Sequence, residues 1–185
     1  MGVRNVDLVI VGASFAGLIC ARTAALRGLK TVVIEAKAEP GARIHTTGIL
    51  VKEAAEEVDT PPQFSRAIHG VRLYAPSLKF IDLATPEYYF LTTDTAALMR
   101  WLADEARHAG AEIHCGRKLE QAVRQDGGIL LPQFDIATRF LVGADGARST
   151  VAKIFGLGRN TKFLTGLEVE YAALPKADPE LLHCF

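Results

Sequence analysis

One segment restricts the possible folds more than any other: Asp7–Gly17, DLVIVGASFAG. Its first five residues are a short, almost wholly apolar run, the pattern of a parallel strand buried on both faces. A glycine-rich turn follows, and then a helical pattern from Phe15 to about Arg27. That helix carries Leu18, Ala21, Ala25 and Leu26 as its apolar positions and stops at Gly28. Thr31–Ile34 (TVVI) reads as a second buried strand, ending at Glu35. A strand, a glycine turn, a helix and a strand ending in an acid form the βαβ unit that binds dinucleotides.

Each part of that unit has a physical task. Gly12 permits the tight strand-to-helix turn, a small residue at Ser14 leaves room for a ligand phosphate, and Gly17 lets helix and strand pack closely. The helix N-terminus offers unpaired N–H groups and partial positive charge to a pyrophosphate. The whole turn (Gly12, Ala13, Ser14, Phe15, Ala16 and Gly17) is therefore assigned to the cofactor. Glu35, with Ala36 beside it, is assigned to the ribose, since a carboxylate there accepts both hydroxyls of an adenosine and disfavours a 2′-phosphate. The plainer alternative is a glycine-rich turn with a solvent-facing glutamate. Ser14 departs from the usual pattern, in which the middle position is glycine.

Farther along, Ala54–Val58 is a candidate short helix stopped by Pro61-Pro62, and Val71–Ala75 with Leu78–Leu83 a candidate hairpin. Thr93–Ala109 is helical with Leu98, Leu102 and Ala106 on one face, and Ala111–Cys115 is a third strand. Lys118–Ala137, with Asp126-Gly127-Gly128 at a turn, reads as a small β-meander. Phe140–Ala144 is a fourth buried strand ending at Asp145-Gly146, and a short helix spans Ser149–Phe155. Thr165–Ala172 and Glu180–Phe185 are strand-like. The expected fold is α/β: a Rossmann-like FAD/NAD(P)-binding parallel sheet of about four strands with a β-meander, plus a partial β-rich substrate subdomain. Residues 1–43 and 91–158 form the first domain of this expectation, and 44–90 with 159–185 the second.

The stretch FLVGADGARS (140–149), taken with the N-terminal glycine turn, resembles the flavin-dependent monooxygenases and geranylgeranyl reductases of the glutathione-reductase-like FAD superfamily. TTGILVKEA and GADGARSTVAKIFGLG are closest in style to the reductase branch. The resemblance implies FAD as cofactor, with NADPH or NADH as electron donor. It implies that Asp145 and Gly146 lie at the flavin pyrophosphate and ribityl chain. Arg43, in PGARIHTTGILV (40–51), matches an arginine that approaches the diphosphate, and Leu119 matches a backbone position near adenine. The next segment of that family, with a Gly-Asp motif, has no counterpart before Phe185.

The expected activity is accordingly that of an FAD-dependent oxidoreductase on a small apolar substrate, with no catalytic acid or base assigned. The alternative is a truncated FAD/ADP-binding module without turnover, given to self-association or completed by another polypeptide. The 21 basic and 21 acidic residues cancel, which gives no electrostatic case for nucleic acid. No apolar run is long enough for a transmembrane segment. The five histidines show no metal spacing, so no metal site is expected. Three cysteines without a CxxC, and no signal peptide, suggest a cytoplasmic protein.

Overall fold

The computed structural model describes residues 2–58, 60–158, 160–167, 169 and 178–185. In chain order the elements are β1 (Arg4–Val11), α1 (Phe15–Leu26), β2 (Thr31–Ile34), β3 (Ile49–Val51), α2 (Lys52–Glu57), β4 (Ser65–Ile68), β5 (Gly70–Tyr74), β6 (Phe80–Ala84) and β7 (Phe90–Thr93). They continue with α3 (Thr95–His108), β8 (Glu112–His114), β9 (Val123–Gln125), β10 (Gly128–Leu131), β11 (Ile136–Gly143), α4 (Thr150–Ile154) and β12 (Leu181–Cys184). The chain divides into two compact units, Met1–Ile44 with Ala96–Leu164, and His45–Thr95 with Thr165–Phe185.

The first unit is built on a six-stranded sheet of order β8-β2-β1-β11-β10-β9. Its first four strands are mutually parallel, and β10 and β9 extend it as an antiparallel edge. The apolar runs explain this arrangement. Val9, Ile10, Val32 and Val33 are completely buried, as strands covered on both faces must be. Helix α1 turns small residues inward (Gly17, Ala21, Ala24 and Ala25) together with the fully buried Leu18, and so approaches β1 and β2 closely. Burial of a leucine on this scale contributes about 1.5–3 kcal/mol. Helix α3 buries Leu98, Met99, Leu102, Ala103 and Ala106 along one stripe.

The second unit holds two three-stranded sheets, β3-β7-β4 and β12-β5-β6. The β5–β6 hairpin follows the expected pairing, and β12 lies parallel to β5. Three of these strands, β3, β4 and β7, are not expected from the sequence. Each has only three or four residues, and none has the buried alternation that marks a strand. Because β7 pairs with β3 and β4, residues 91–95 fall in the second unit, whereas Ile44 and residues 160–164 fall in the first.

Two further expectations need correction. The fourth strand begins earlier than Phe140, at Ile136, and its end is not buried: Phe140 is 57% exposed and Gly143 is open to solvent. The physical reason is that α1 packs mainly on β1 and β2, which leaves β11 mainly to the short α4. The strand expected over Thr165–Ala172 is irregular at Thr165–Leu167, and most of the remainder lies outside the described residues.

Candidate functional site

Strand order fixes where a ligand site can form. From β1 the chain crosses through α1 to β2 on one side, whereas β11 lies on the other side of β1. The carboxyl ends of β1, β2 and β11 therefore flank a point where the winding reverses, the usual place for a ligand in such a sheet. The glycine turn occupies that point. Val11 is level with Ile34 on one neighbour and with Gly143 on the other. The Gly12 amide donates to Ile34 O at 2.8 Å, and the Ala144 amide donates to Val11 O at 2.8 Å.

The need for glycine here comes from the protein's own backbone. Gly12 has φ +106°, and a Cβ on it would lie 2.3 Å from Ala144 O. A Cβ on Gly17 would lie 1.9 Å from Gly12 O. Gly17 meets the glycine turn itself and Ala144, so its lack of a side chain lets α1 start directly against the turn. The space around Gly12 is filled by the Ala144–Asp145 peptide, so a side chain there would disrupt the fold before it met any ligand.

Ser14 is the N-cap of α1, exposed, with its hydroxyl making no capping bond, and the first turn holds no acidic residue. The positive end of the helix is thus not neutralised from within, which suits an anion. Phe15 is half-buried, Ala16 exposed and Ala13 buried.

Glu35 is buried at 8% exposure, and its carboxylate already has partners. Oε2 accepts the Ala13 amide at 2.6 Å, and Oε1 accepts the Lys37 amide at 2.7 Å. Glu35, expected from the sequence to serve the ribose, also ties the glycine turn to the end of β2, a role with no local sequence signal. A carboxylate has about four acceptor positions, so two remain for ribose hydroxyls. Lys37 itself gave no sequence signal. Its amide fixes Glu35, and its Nζ donates to Arg43 O at 2.8 Å, closing the loop that follows β2. Arg43 is exposed with φ +46°, a left-handed conformation costly for a side-chain-bearing residue, and its guanidinium has no partner among the described residues. Ala36 is exposed beside Glu35.

Leu119 does not present its side chain to a ligand. It is 2% exposed and belongs to the core cluster of Val9, Val11, Val32, Ile34 and Val151, so only its backbone remains for adenine. Gly146 (φ +81°) lies on the exposed turn, and a Cβ there would meet nothing. Asp145 is turned inward. Its Oδ1 accepts the Ser149 hydroxyl at 2.6 Å, and its Oδ2 accepts the amides of Thr150 at 2.6 Å and Val151 at 3.2 Å. Ser149 Oγ in turn accepts the Ala152 amide at 2.9 Å. The Asp-Gly motif adjoins the glycine turn, and its carboxylate caps α4. A serine before a short helical run is an N-cap signal legible in the sequence.

A groove of about 510 Å3 lies elsewhere in the first unit, lined by Asn5, Asp7, Lys30, Asp126 and Arg139. Asn5 and Asp7 belong to the amino end of β1, far from the turn, and the backbone donors and the unopposed helix terminus are not there. We therefore place the candidate site at the turn. Burial pushes the Cys115 thiol pKa up, which disfavours a reactive thiolate at the end of β8. No group of three metal-ligating side chains occurs among the described residues.

The fold and the turn define a Rossmann-like α/β domain. Comparison with known proteins agrees. Residues 10–76 match the family model of an NAD(P)-binding Rossmann-like domain. Digeranylgeranylglycerophospholipid reductase 2 of Methanosphaera stadtmanae is 26% identical over 171 residues, covering 85% of this chain and 43% of the relative. A rifampicin monooxygenase of Streptomyces venezuelae is 30% identical over 162 residues, covering 82% of this chain and 34% of the relative. The crystal structure of a geranylgeranyl bacteriochlorophyll reductase-like protein from Thermoplasma acidophilum superimposes with a TM-score of 0.72 at 26% identity. It covers 84% of this chain and 43% of that structure. The chain thus spans less than half the length of each of these relatives.

Proposed function

We propose that this chain binds FAD at the glycine turn and acts in a flavoprotein oxidoreductase of the reductase or monooxygenase type. NADPH or NADH is the electron donor, and the substrate is small and apolar. The observation that carries the reading is a helix start whose N-cap side chain makes no capping bond, beside a buried carboxylate that is bonded to the same turn and keeps two acceptor positions. The named relatives, reductases and monooxygenases, support it.

Within this reading the residues divide the ligand. The amides at the start of α1 and the guanidinium of Arg43 receive the pyrophosphate, as donors arranged around an anion. Glu35 receives the adenosine ribose with its two remaining acceptor positions. The backbone at Leu119 borders adenine, and Gly146 leaves the Asp-Gly turn open to the flavin side. When bound, FAD would supply the two-electron redox chemistry that links a reduced nicotinamide to the substrate. The protein contributes position, charge and exclusion of water. A cytoplasmic location belongs to the same proposal, supported by three unpaired thiols. No helix among the described residues is long and apolar enough to cross a membrane.

A second reading, an ADP-binding module without turnover, draws support from the location of the assigned residues, all of which fall in the first unit. Reconstitution with FAD separates the two. A yellow protein whose flavin band bleaches on addition of NADPH or NADH is the result expected for the oxidoreductase. A colourless protein that retains ADP contradicts it in favour of the module.

A further inference from the structure

The Asp145 network has a consequence for the glycine turn that its place in a cofactor motif does not imply. A Cβ on Gly12 would lie 2.3 Å from Ala144 O, 2.7 Å from Ala144 C and 3.1 Å from Asp145 N. Those three atoms belong to one peptide group, so Gly12 rests directly on the Ala144–Asp145 peptide plane. That plane is held from both sides. On one side the Ala144 amide is bonded to Val11 O. On the other, the Asp145 carboxylate is bound by the Ser149 hydroxyl and the first two amides of α4. Helix α4 is itself anchored, because Val151 is 4% exposed in the sheet core beside Val9 and Val11. Gly143 adds to the clamp, since a Cβ there would lie 2.9 Å from Val151 Cβ.

We propose that Asp145 is a positioning residue: with Ser149 it locks the peptide on which the Gly12 turn rests, and so sets the alignment of the Ala13–Gly17 amides without its carboxylate touching the cofactor. The inference rests on the dinucleotide reading of the turn and deepens it. The two carboxylate oxygens already receive three donors, the Ser149 hydroxyl and the amides of Thr150 and Val151, which commits the group to α4. A rigid floor keeps the donors aligned before the ligand arrives, which lowers the ordering cost of binding.

The test uses the full chain and ADP as the probe, with Ser149→Ala, Asp145→Asn and the double variant. ADP affinity is measured by titration well below the melting temperature, so that all of the protein is folded. Amide exchange at Ala13, whose N–H is bonded to Glu35, reports the turn directly. Expected is a loss of ADP affinity of about fivefold for each single variant, the scale of losing a helix cap. The double variant loses no more than Asp145→Asn alone, since the two side chains act as one unit. Ala13 exchanges faster in all three. A cap that served α4 only would leave both ADP affinity and Ala13 exchange unchanged, and that result overturns the inference. A loss confined to Asp145→Asn also overturns it, by showing direct contact with the ligand. If Asp145→Asn fails to fold, Ser149→Ala carries the same test. Absence of ADP binding by the unsubstituted chain overturns the dinucleotide reading itself, and the inference with it.

Discussion

Gly12 and Gly146 are both glycines with positive φ, both follow parallel strands, and both fall in motifs assigned to one cofactor. Their surroundings are opposite. Gly12 is pressed against the Ala144–Asp145 peptide, whereas nothing lies within 4 Å of a Cβ placed on Gly146. Conformation alone accounts for the second. The first adds a steric demand from the fold. Glycines of the same conformation thus fall into two kinds, those that build the turn and those that leave space beside it.

Substitutions can break this comparison. Gly12→Val should have the largest effect, because it combines backbone strain with a collision that cannot relax without moving β11. A loss of about 2–6 kcal/mol is expected in chemical denaturation. Gly17→Val, 1.9 Å from a carbonyl oxygen, should follow closely. Near-normal stability of either variant would show that the turn is not packed as described. Glu35→Gln comes next. An amide retains one acceptor oxygen but turns an NH2 toward a backbone donor, so ADP affinity should fall by about 1–3 kcal/mol. Ala13 amide exchange should rise in parallel. Lost affinity with unchanged exchange would assign Glu35 to the ribose alone.

Gly146→Ala should be milder, about 1–2 kcal/mol from left-handed strain alone, with ADP affinity retained. A larger loss would mean that the open space belongs to the ligand. The smallest effect is expected at the sheet edge, where Arg4 pairs with Glu112 through two hydrogen bonds, one of 2.7 Å. Arg4 holds the Glu112 carboxyl below the usual carboxylate range. Its stabilisation is therefore present above the unfolded pKa of about 4.3 and is lost as pH falls through the lower folded value. Since both side chains are about half exposed, Glu112→Gln should cost under about 1 kcal/mol near neutrality, a difference that vanishes in acid denaturation scans.

Secondary structure is legible in the sequence where burial imposes a simple pattern. Thr31–Ile34 is a strand over the expected residues because all four positions are buried and all four side chains are β-branched. The start of α1 at Phe15 was legible from the glycine turn. The second unit was read poorly for the opposite reason. Strands such as β3, with Ile49 and Val51 exposed, are held by pairing with β7 rather than by a buried face, and pairing partners leave no local trace. Within the site, residue positions were legible but directions were not. That Glu35 faces Ala13, that Asp145 faces α4 and that the Leu119 side chain faces the core depends on contacts between residues distant in the chain.

The central claim is that an adenine dinucleotide binds at the carboxyl edge of β1. The most direct test is titration of the isotopically labelled chain with ADP, followed residue by residue through its backbone amide signals. The account predicts saturable shifts centred on Ala13–Gly17, Glu35 and Lys37, with Asp7, Lys30 and Arg139 at the opposite edge unaffected. Shifts confined to Asp7, Lys30 and Arg139, or none in the glycine turn at saturating ADP, would contradict it.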